Sequence, residues 1–425
     1  MIRFYNGKYL TLAGGAQVHD GEVWTDGRVI SRVGAKKADM PAFDREIDLG
    51  GDLVMPSFKN AHTHSAMTFL RSYADDLPLN DWLFKQVFPM EARLTDDIIY
   101  TMTRLAILEY LSGGITASFD MYYRNDAYAK ANIDSGFRTV ICSALNDLDA
   151  DETNIEREYI KFNGLHELVS YRLGIHGEYT TGMPRLQYMA DLVHKYKAPF
   201  YSHNSETKSE VAGCLGRHGK TPTELFESLG LYDFGGGGYH CTWMSERDLE
   251  IFKRRGLYAV TNPASNLKLA SGVAPIEKML QMGIKLAIGT DGAASNNALD
   301  MFREMYLATA LQKLTTENAA ACPAEKVLEM ACSAGAGAMG LHDCDDLAPG
   351  KKADLIVIDL NKPNMRPKNN IIKNLVYAGS RENVRLTMIN GEIKYENGQY
   401  FIGQSPEEIY SAAEEIMRAL KNETN

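Results

Sequence analysis

Two histidines separated by one residue, His62 and His64, directly follow a short apolar run in this chain of 425 residues. On an extended segment, residues two apart point to the same side, so both imidazoles can reach one ion. Two surface histidines would produce the same pattern by chance. Downstream, His203, His240 and Asp291 also stand at the ends of short apolar runs. Histidine together with carboxylate is a ligand set that suits a catalytic zinc or iron ion.

Other polar residues occupy similar positions, although each has a purely structural interpretation as well. Asp120 and His176 follow apolar runs, and Asp291 precedes a glycine in a pair that is typical of a turn. A lone histidine at a strand end is more commonly a hydrogen-bonded structural residue than a metal ligand. The joint pattern favours a site, because independent structural histidines need not share one face of a fold. For Asp120, a loop role and support of a ligand are equally open.

The elements that would position these residues are short apolar runs that alternate with amphipathic helical stretches. The runs lie near 53–58, 115–119, 138–143, 171–175, 199–202, 238–240, 257–261 and 285–289, with helical patterns such as 96–112, 185–196, 245–254 and 275–282 between them. This alternation predicts an α/β fold, a (β/α)8 TIM barrel, whose buried strands read as apolar runs and whose active site lies where the strands end. A doubly wound open sheet is the main alternative, but it usually carries a glycine-rich phosphate turn after its first strand. The four glycines 235–238 precede a strand and are interpreted as a flexible turn.

Both ends of the chain have a different texture, with short strands and frequent turns. Candidate strands in the C-terminal part lie at 353–359, 384–389 and 392–395, and Asn390-Gly391 between the last two is a strong hairpin signal. Ser405 can cap a final helix over 406–420. We therefore predict a small β-sandwich domain from residues 1–54 and 346–425, and a barrel domain from 55–345.

Composition narrows the class of protein. The formal net charge of −10 argues against a nucleic-acid or anionic-membrane surface, and a hydrophobic fraction of 45% is ordinary for a globular protein. The six cysteines are scattered, which predicts reduced thiols rather than a disulfide framework. No run reaches the length that spans a bilayer, and the N-terminus lacks the apolar stretch of a signal peptide. We expect a cytoplasmic protein that binds neither nucleic acid nor membrane.

Seven segments of the chain carry a family resemblance in the expected order. They read VMP at 54–56 with NAHTH at 60–64, FPME at 88–91, HNSET at 203–207, HC at 240–241, NPASNLKL at 262–269, GTDGAASNN at 289–297 and GKKADL at 350–355. The chain resembles the amidohydrolase superfamily, in the branch of adenosine-type and triazine aminohydrolases. Within that branch it looks most like the 5-methylthioadenosine/S-adenosylhomocysteine deaminases.

The resemblance implies a metal centre and a reaction. It implies one divalent ion, Zn²⁺ or else Fe²⁺, held by four residues: His62, His64, His203 and Asp291. Some members bridge two metals with a lysine at the end of strand 4, but GIHGE at 174–178 has none, which favours one ion. Glu206 resembles the residue that protonates the ring nitrogen next to the attacked carbon, and its structural alternative is an acidic residue in a first helical turn. His240 resembles the histidine that orients or deprotonates the water, and Asp291 can pass its proton to departing ammonia.

The resemblance also suggests substrate contacts and two departures from the pattern. Glu91, His176, Glu178 and Trp82 would contact a nucleoside, with Glu91 at the ribose hydroxyls; the structural interpretation of Glu91 is a glutamate at a helix start. Trp82 and Phe84 would line the roof of the pocket, although aromatic residues in such a segment are more commonly simple packing. Ala144 stands where an arginine is expected. Glu178 stands where proline is expected, and an extra carboxylate beside the pocket would favour a cationic or donor-rich substrate. Because arginine grips carboxylates bidentately, we expect an adenine nucleoside or other amino-substituted heterocycle without a free carboxylate.

The proposed reaction has alternatives inside and outside the family. The leading hypothesis is hydrolysis of a ring C–NH2 to C=O in a nucleoside of the 5′-methylthioadenosine, S-adenosylhomocysteine or 5′-deoxyadenosine type. Another aminohydrolase, acting on guanine, pterin, cytosine or triazine rings, or a chlorohydrolase, is the second. A barrel that lost catalysis would lack ligands or Glu206, and all of them are present. A homo-oligomer is the ordinary expectation for such enzymes.

Overall fold

The protein contains a parallel barrel and a mixed sheet made from both ends of the chain. This computed structural model describes residues 1–77, 79–147 and 154–422. The described α-helices are α1 Leu79–Trp82, α2 Phe88–Glu91, α3 Asp96–Ser112, α4 Asn125–Ser135, α5 Asn154–Asn163, α6 Met183–Tyr196, α7 Lys208–His218, α8 Pro222–Ser228, α9 Glu246–Arg255, α10 Pro263–Lys268, α11 Ile276–Met282, α12 Ala293–Asn296, α13 Met301–Thr315, α14 Ala324–Ala331, α15 Ser333–Met339, α16 Ile371–Tyr377 and α17 Pro406–Asn422. Short 3-10 helices cover Ser65–Leu70, Glu178–Thr180, Pro363–Met365 and Arg381–Asn383, and a π-helical turn covers Leu83–Val87.

Eight parallel strands form the barrel. They are β6 Phe58–Thr63, β7 Ile115–Met121, β8 Arg138–Cys142, β9 Val169–Ile175, β10 Phe200–Asn204, β11 Gly236–His240, β12 Tyr258–Thr261 and β13 Lys285–Ile288, each paired with the next. The backbone N–H of Asp291 donates to the carbonyl of His62 at 2.9 Å and joins the last strand to the first. This approach requires glycine at 289, where a Cβ would lie 2.5 Å from the His62 nitrogen. The predicted (β/α)8 fold is confirmed.

The remaining nine strands form one mixed sheet from the two ends of the chain. They are β1 Ile2–Thr11, β2 Gln17–Asp26, β3 Val29–Gly34, β4 Arg45–Asp48, β5 Leu53–Pro56, β14 Leu355–Ile358, β15 Val384–Ile389, β16 Glu392–Glu396 and β17 Gln399–Tyr400. Apolar side chains from β2, β3, β14 and β15 share one buried cluster, so the sheet curls over its own core. The predicted hairpin at Asn390-Gly391 is confirmed, and both residues adopt the left-handed conformation that a type I′ turn requires.

Two local predictions are wrong, and both concern the ends of barrel strands. The run 53–58 contains two strands rather than one, because β5 pairs with β1 and β14 in the terminal sheet while β6 starts the barrel. The glycines 236–238 lie inside strand β11 and are not a turn. A Cβ on Gly236 would lie 1.9 Å from the carbonyl oxygen of Phe200, so neighbouring strands exclude a side chain there. The predicted division of the chain into two domains stays a prediction.

Helix starts agree with the capping residues in the sequence. The hydroxyl of Thr95 accepts from the N–H of Ile98 at the start of α3, and Ser245 forms a capping box with Asp248 at the start of α9. The Ser405 hydroxyl likewise accepts from the N–H of Glu408 in α17. None of the helices in the described part of the chain combines the length and apolar content needed to cross a membrane.

Candidate metal and active site

The predicted ligands meet at the carboxyl ends of the barrel strands. His62 is the next-to-last residue of strand β6 and His64 lies just beyond it, while His203 and His240 lie in β10 and β11. The possible ligands form two groups that share His62. One group is His62, His203 and His240, and the other is His62, His64 and Asp291. Within each group all ligand atoms lie within 4.8 Å of one another. The histidines and the aspartate therefore converge on one small volume.

His62 is the side chain that most directly indicates a metal. It is fully buried, and neither of its ring nitrogens has a hydrogen-bond partner among the residues that the structure describes. Its ring stacks on Tyr239 with centroids 3.8 Å apart, which fixes its plane. A buried polar atom without a partner is costly, so native structures rarely keep one unless a ligand or ion satisfies it. The donor set around His62 fits a zinc-type ion, which binds imidazole nitrogen and carboxylate oxygen.

Backbone carbonyls orient two of the other histidines. The Nδ1 atom of His64 lies 2.5 Å from the carbonyl oxygen of Met121, and that of His203 lies 2.5 Å from the carbonyl oxygen of His176. An Nδ1–H that donates to a carbonyl leaves the Nε2 lone pair free for a metal. Burial also lowers the pKa of His62 and His203 well below the ordinary value, so both rings are neutral and able to coordinate.

Asp291 is held in an unusual backbone conformation at the end of β13. Its φ of 62° is in the left-handed region, which costs energy for a residue with a side chain and is common at functional sites. One carboxylate oxygen accepts from the hydroxyls of Ser265 at 2.6 Å and Ser295 at 3.0 Å, and the other lies 3.2 Å from Nε2 of His64. Burial opposes its charge, but the hydrogen bond from His64 holds the pKa of Asp291 well below its usual value. The same contact raises the pKa of His64 to about 9 against its own burial, so without an ion a proton on Nε2 of His64 occupies the position that a metal would take. The oxygen next to His64 is therefore an ionised ligand atom.

Glu206 and His240 lie side by side next to the metal-binding cluster. Oε2 of Glu206 is 3.8 Å from Nε2 of His240, and Oε1 accepts from the hydroxyl of Ser271 at 3.0 Å. Nδ1 of His240 lies 2.7 Å from the side-chain oxygen of Asn266, which orients the ring toward Glu206. The arrangement provides one acid and one base within reach of a shared reacting atom.

A cavity opens onto these groups at the mouth of the barrel. It is lined by His64, Met67, Trp82, Leu83, Phe88, Glu91, Met121, Tyr122, Tyr123, Ala144, His176, Tyr179, His203, Glu206, His240, Leu269 and Asp291. The structure thus brings the predicted substrate contacts Trp82, Glu91 and His176, together with Ala144, into the same cavity as Glu206 and His240. Phe84 is 51% exposed and does not line the cavity. No lysine or arginine occurs among the described residues that line it.

Glu91 and His176 are presented to the cavity by specific hydrogen bonds. The hydroxyl of Tyr122 donates to Oε1 of Glu91 at 2.7 Å, and Nδ1 of His176 lies 2.9 Å from the hydroxyl of Thr180. Burial raises the pKa of Glu91 to about 7, opposed by the bond from Tyr122. Burial lowers the pKa of His176 to about 3, so this ring is neutral.

The carboxylate of Glu178 does not reach the cavity. It is buried, and an ion pair with Arg217 at 2.5 Å and a contact to His218 at 3.1 Å hold it on the helix α7 side. Glu178 was expected to add negative charge beside the substrate, but its carboxylate is paired with Arg217 and is not among the residues that line the cavity. Its neighbour Tyr179 lines the cavity instead.

Asp120, whose role the sequence left open, is buried below His64. Its Oδ2 accepts from the N–H of Ser65 at 2.8 Å, and burial raises its pKa to about 6. The contact fixes the backbone that follows His64, so Asp120 supports the position of this predicted ligand and is not among the residues that line the cavity. The sequence also missed Tyr122, although its place directly after strand β7 was a usable signal.

A barrel with a histidine and aspartate cluster at the carboxyl ends of its strands defines the class of metal-dependent hydrolases. The amidohydrolase family model matches residues 53–394. This chain belongs to the amidohydrolase family.

Three similar proteins illustrate its relationships. A 5-methylthioadenosine/S-adenosylhomocysteine deaminase from Syntrophobacter fumaroxidans is 38% identical over an alignment of 428 positions, gaps included, which covers 98% of this chain and 97% of the relative. A 5′-deoxyadenosine deaminase from Methanosarcina acetivorans is 38% identical, with 88% of this chain and 89% of the relative covered. The crystal structure of an adenosine deaminase from Xanthomonas campestris with bound zinc is 29% identical and superposes with a TM-score of 0.94, over 99% of this chain and 98% of that one.

Proposed function

We propose that this protein is a metal-dependent deaminase that converts the ring C–NH2 of an adenine nucleoside to C=O and releases ammonia. The observation that carries the proposal is the pair Glu206 and His240, 3.8 Å apart beside the metal-binding cluster in a cavity that also contains Glu91. The names of the relatives support an adenine nucleoside of the 5′-methylthioadenosine, S-adenosylhomocysteine or 5′-deoxyadenosine type. The alternative is an aminohydrolase or chlorohydrolase of a guanine, pterin, cytosine or triazine ring.

We further propose one divalent ion per subunit, Zn²⁺ in preference to Fe²⁺. Four residues would hold it: His62, His64, His203 and Asp291. When bound, such an ion supplies Lewis acidity, which lowers the pKa of water from about 15.7 to about 7. The orphaned nitrogens of His62 and the carbonyl-oriented rings of His64 and His203 support this ligand set.

The chain's own residues would move the protons. His240, oriented by Asn266, takes one proton from the attacking water. The ionised Asp291 takes the second proton of that oxygen and passes it to the departing ammonia. Glu206 protonates the ring nitrogen beside the attacked carbon and so stabilises the charge that develops there. Hydrolysis of this kind needs no other reactant than water, because the amine leaves as ammonia and oxygen replaces it.

Glu206→Gln is expected to lower kcat by about 10³-fold, because glutamine cannot donate the carboxyl proton. The zinc content should stay at the wild-type value, since Glu206 is not a proposed ligand. Steady-state ammonia release and metal analysis of the purified variant test this. Glu246→Gln, an exposed helix residue paired with Lys278, is the matched control and should behave as wild type. A Glu206→Gln enzyme with wild-type kcat would refute the proton-donor role.

The substrate would lack a free carboxylate near the cavity. Ala144 lines the cavity where an arginine was expected, and no cation among the described lining residues replaces it. Binding a carboxylate without a partner would carry a large desolvation cost. We therefore propose 5′-deoxyadenosine or 5′-methylthioadenosine as better substrates than S-adenosylhomocysteine.

Ammonia release from a panel of compounds tests the substrate class. The panel is 5′-deoxyadenosine, 5′-methylthioadenosine, S-adenosylhomocysteine, adenosine, guanine, cytosine and a pterin, each with zinc-loaded protein. We expect the highest kcat/KM for the two uncharged 5′-substituted nucleosides. Activity on guanine, cytosine or the pterin alone would replace the nucleoside proposal by its alternative.

The affinity for the ribose is expected to depend on pH through Glu91. Because its pKa is raised to about 7, the carboxyl is ionised above that pH and protonated below it. An ionised carboxylate accepts both hydrogen bonds of a vicinal diol, so KM should rise as pH falls from 8 to about 6. Glu91→Gln should flatten this dependence, and a 2′,3′-dideoxy substrate should lack it. A KM profile that is identical in Glu91→Gln and wild type would contradict the contact.

The remaining proposals concern the cell and the assembly. All six cysteines are free and buried thiols, which supports a reducing compartment, and we propose the cytoplasm. A homo-oligomer is proposed on the general tendency of soluble enzymes to form symmetric assemblies. Light scattering of the purified protein measures its mass, and a monomer would exclude the second proposal.

A further inference from the structure

The turn that carries Glu206 has a conformation that needs support. Ser205, between the end of β10 and Glu206, has a φ of 52°, in the left-handed region. This region costs a non-glycine residue energy and persists only where surrounding contacts over-determine it. The direction of the Glu206 side chain depends on this turn, because it leaves the backbone one residue later.

Glu210 supplies the strongest of these contacts. Its two carboxylate oxygens each accept one backbone hydrogen bond, from the N–H of Ser205 at 2.9 Å and from the N–H of Glu206 at 2.7 Å. Glu210 lies in the first turn of α7 and is buried. In a capping box, the N3 glutamate bonds to the N–H of the N-cap residue, which here is Thr207. The Thr207 N–H also interacts with Glu210, but the two hydrogen bonds of its carboxylate oxygens go to the two residues before the cap.

Other contacts complete the arrangement around the turn. The carbonyl oxygen of Ser205 accepts from the N–H groups of Thr242 at 3.1 Å and Trp243 at 2.8 Å. The Ser271 hydroxyl binds Oε1 of Glu206, which leaves Oε2 on the side of His240. Backbone and side chain are therefore fixed by separate partners, and Glu210 is the one that holds the N–H groups.

We propose that Glu210 is a positioning residue, whose carboxylate clamps the backbone N–H groups of Ser205 and Glu206 and thereby aims the Glu206 carboxyl at the reacting ring nitrogen. The inference rests on the proton-donor role proposed for Glu206. Glu210 is not among the residues that line the cavity of His64, His203 and Asp291, although it lines an adjoining cavity together with Glu206 and Arg217.

The electrostatics of the clamp support a functional role. A second buried carboxylate four residues from Glu206 is unfavourable, and burial together with the charge of Glu206 raises the pKa of Glu210 to about 7. A helix start can be capped without this cost, as Thr221 and Glu224 do at α8, away from the cavity. At Glu210, charge-assisted hydrogen bonds from two consecutive backbone N–H groups offset the cost of burying a second carboxylate. This cost is accepted at the turn whose geometry directs Glu206.

Glu210→Gln tests the clamp, and Glu224→Gln is its matched control. Glutamine can accept one of the two N–H groups through its carbonyl, but its NH2 group then faces the other donor. Glu224 also accepts a backbone N–H at the start of a helix, from Thr221 at 3.0 Å, and it lies outside the cavity lining. Three quantities are measured on the zinc-loaded enzyme: kcat and KM for the best nucleoside, zinc content, and hydrogen–deuterium exchange of the peptide over 203–207.

We expect Glu210→Gln to lower kcat by about 10- to 100-fold through misplacement of Glu206, with KM and zinc content near wild type. Amide exchange over 203–207 should become faster. In a Glu206→Gln background the same substitution should cause no further loss, because the residue that it positions is already disabled. Glu224→Gln should leave kcat and the exchange of 203–207 unchanged. Glu210→Asp keeps the charge with a shorter reach, so its kcat should be intermediate.

Several results would overturn the inference. The first is a wild-type kcat in Glu210→Gln or, if that variant does not fold, in Glu210→Asp. The second is unchanged amide exchange over 203–207. The third is a loss of activity in the Glu206→Gln background that equals the loss in the wild-type background. A wild-type protein that is inactive on every nucleoside would overturn the proposed function instead. The exchange rates would still decide the clamp in that case, because they do not depend on turnover.

Discussion

Replacing His62 with alanine is expected to abolish zinc binding and to lower kcat/KM by about 10⁴-fold or more. Both ring nitrogens of His62 are buried without a hydrogen-bond partner, and both groups of converging ligand atoms include this residue. Its removal leaves three of the four proposed ligands around the space that the imidazole filled, so we expect the remaining side chains to bind a dication too weakly to survive dialysis. Metal analysis after dialysis, zinc titration by calorimetry and ammonia release measure the effect.

The controls separate metal loss from unfolding. His62→Gln preserves more of the buried volume over Tyr239 but removes the imidazole, so it should lose zinc to a similar extent. His342→Ala changes an exposed histidine and should keep wild-type zinc content and activity. Circular dichroism checks that each variant is folded. A folded His62→Ala protein with stoichiometric zinc and normal turnover would disprove the proposed ligand set.

Replacing Asp354 with asparagine is expected to lower the free energy of unfolding by about 3–5 kcal/mol. Asp354, next to β14, is buried and receives two hydrogen bonds from Arg138 of β8, at 2.8 and 3.1 Å. It also accepts from the N–H of Asn390 at 2.7 Å. Arg138 is equally buried, so the substitution leaves its charge without a partner between the barrel and the terminal sheet. Urea unfolding followed by fluorescence measures the loss.

The pH dependence of this loss gives a second readout. Burial opposes ionisation of Asp354, but Arg138 holds its pKa below the ordinary value. A lowered pKa in the folded protein means that the stabilisation is present above the unfolded pKa of about 3.9 and disappears as pH falls through the folded pKa. The difference between wild type and Asp354→Asn should therefore be largest near neutral pH and should shrink in acid.

Asp20→Asn is the matched control for the ion pair. Asp20 pairs with Lys8 at 2.5 Å, but its side chain is 86% exposed. Exposed ion pairs contribute about 0–1 kcal/mol, so this variant should unfold close to wild type. Equal losses in the two variants would show that burial of the Arg138 pair contributes nothing.

Much of the fold and of the candidate site could be predicted from short sequence patterns and from the residues that follow them along the chain. The eight apolar runs identified the barrel, because strands buried on both faces leave a continuous apolar signal. The predicted ligands His62, His64, His203 and Asp291 converge, because they lie at the carboxyl ends of three strands, β6, β10 and β13, and all parallel strands end at the same rim. Glu206 could also be predicted from the sequence, because it follows the predicted ligand His203 by three positions.

Other features could not be predicted, because they depend on which element lies opposite. The sequence of residues 53–58 predicts one strand. In the structure, residues 53–56 pair with strands of the terminal sheet and only the residues from 58 onward belong to the barrel. Glycines 236–238 read as a turn, and only the closeness of β10 and β12 explains why they are strand residues. Glu178 was expected beside the substrate, but its carboxylate forms an ion pair with Arg217 of α7 instead.

The sequence by itself determined the class of fold and the types of chemical groups, because periodicity and strand-end positions are local properties that pairing does not alter. Only the tertiary structure decided which groups face the cavity and which are used for support. That choice depends on contacts between distant segments, as when Glu210 holds the turn of Glu206, Ser271 binds its carboxylate and Tyr122 binds Glu91. Hydrogen-bond partners across a barrel have no spacing in the sequence that reveals them.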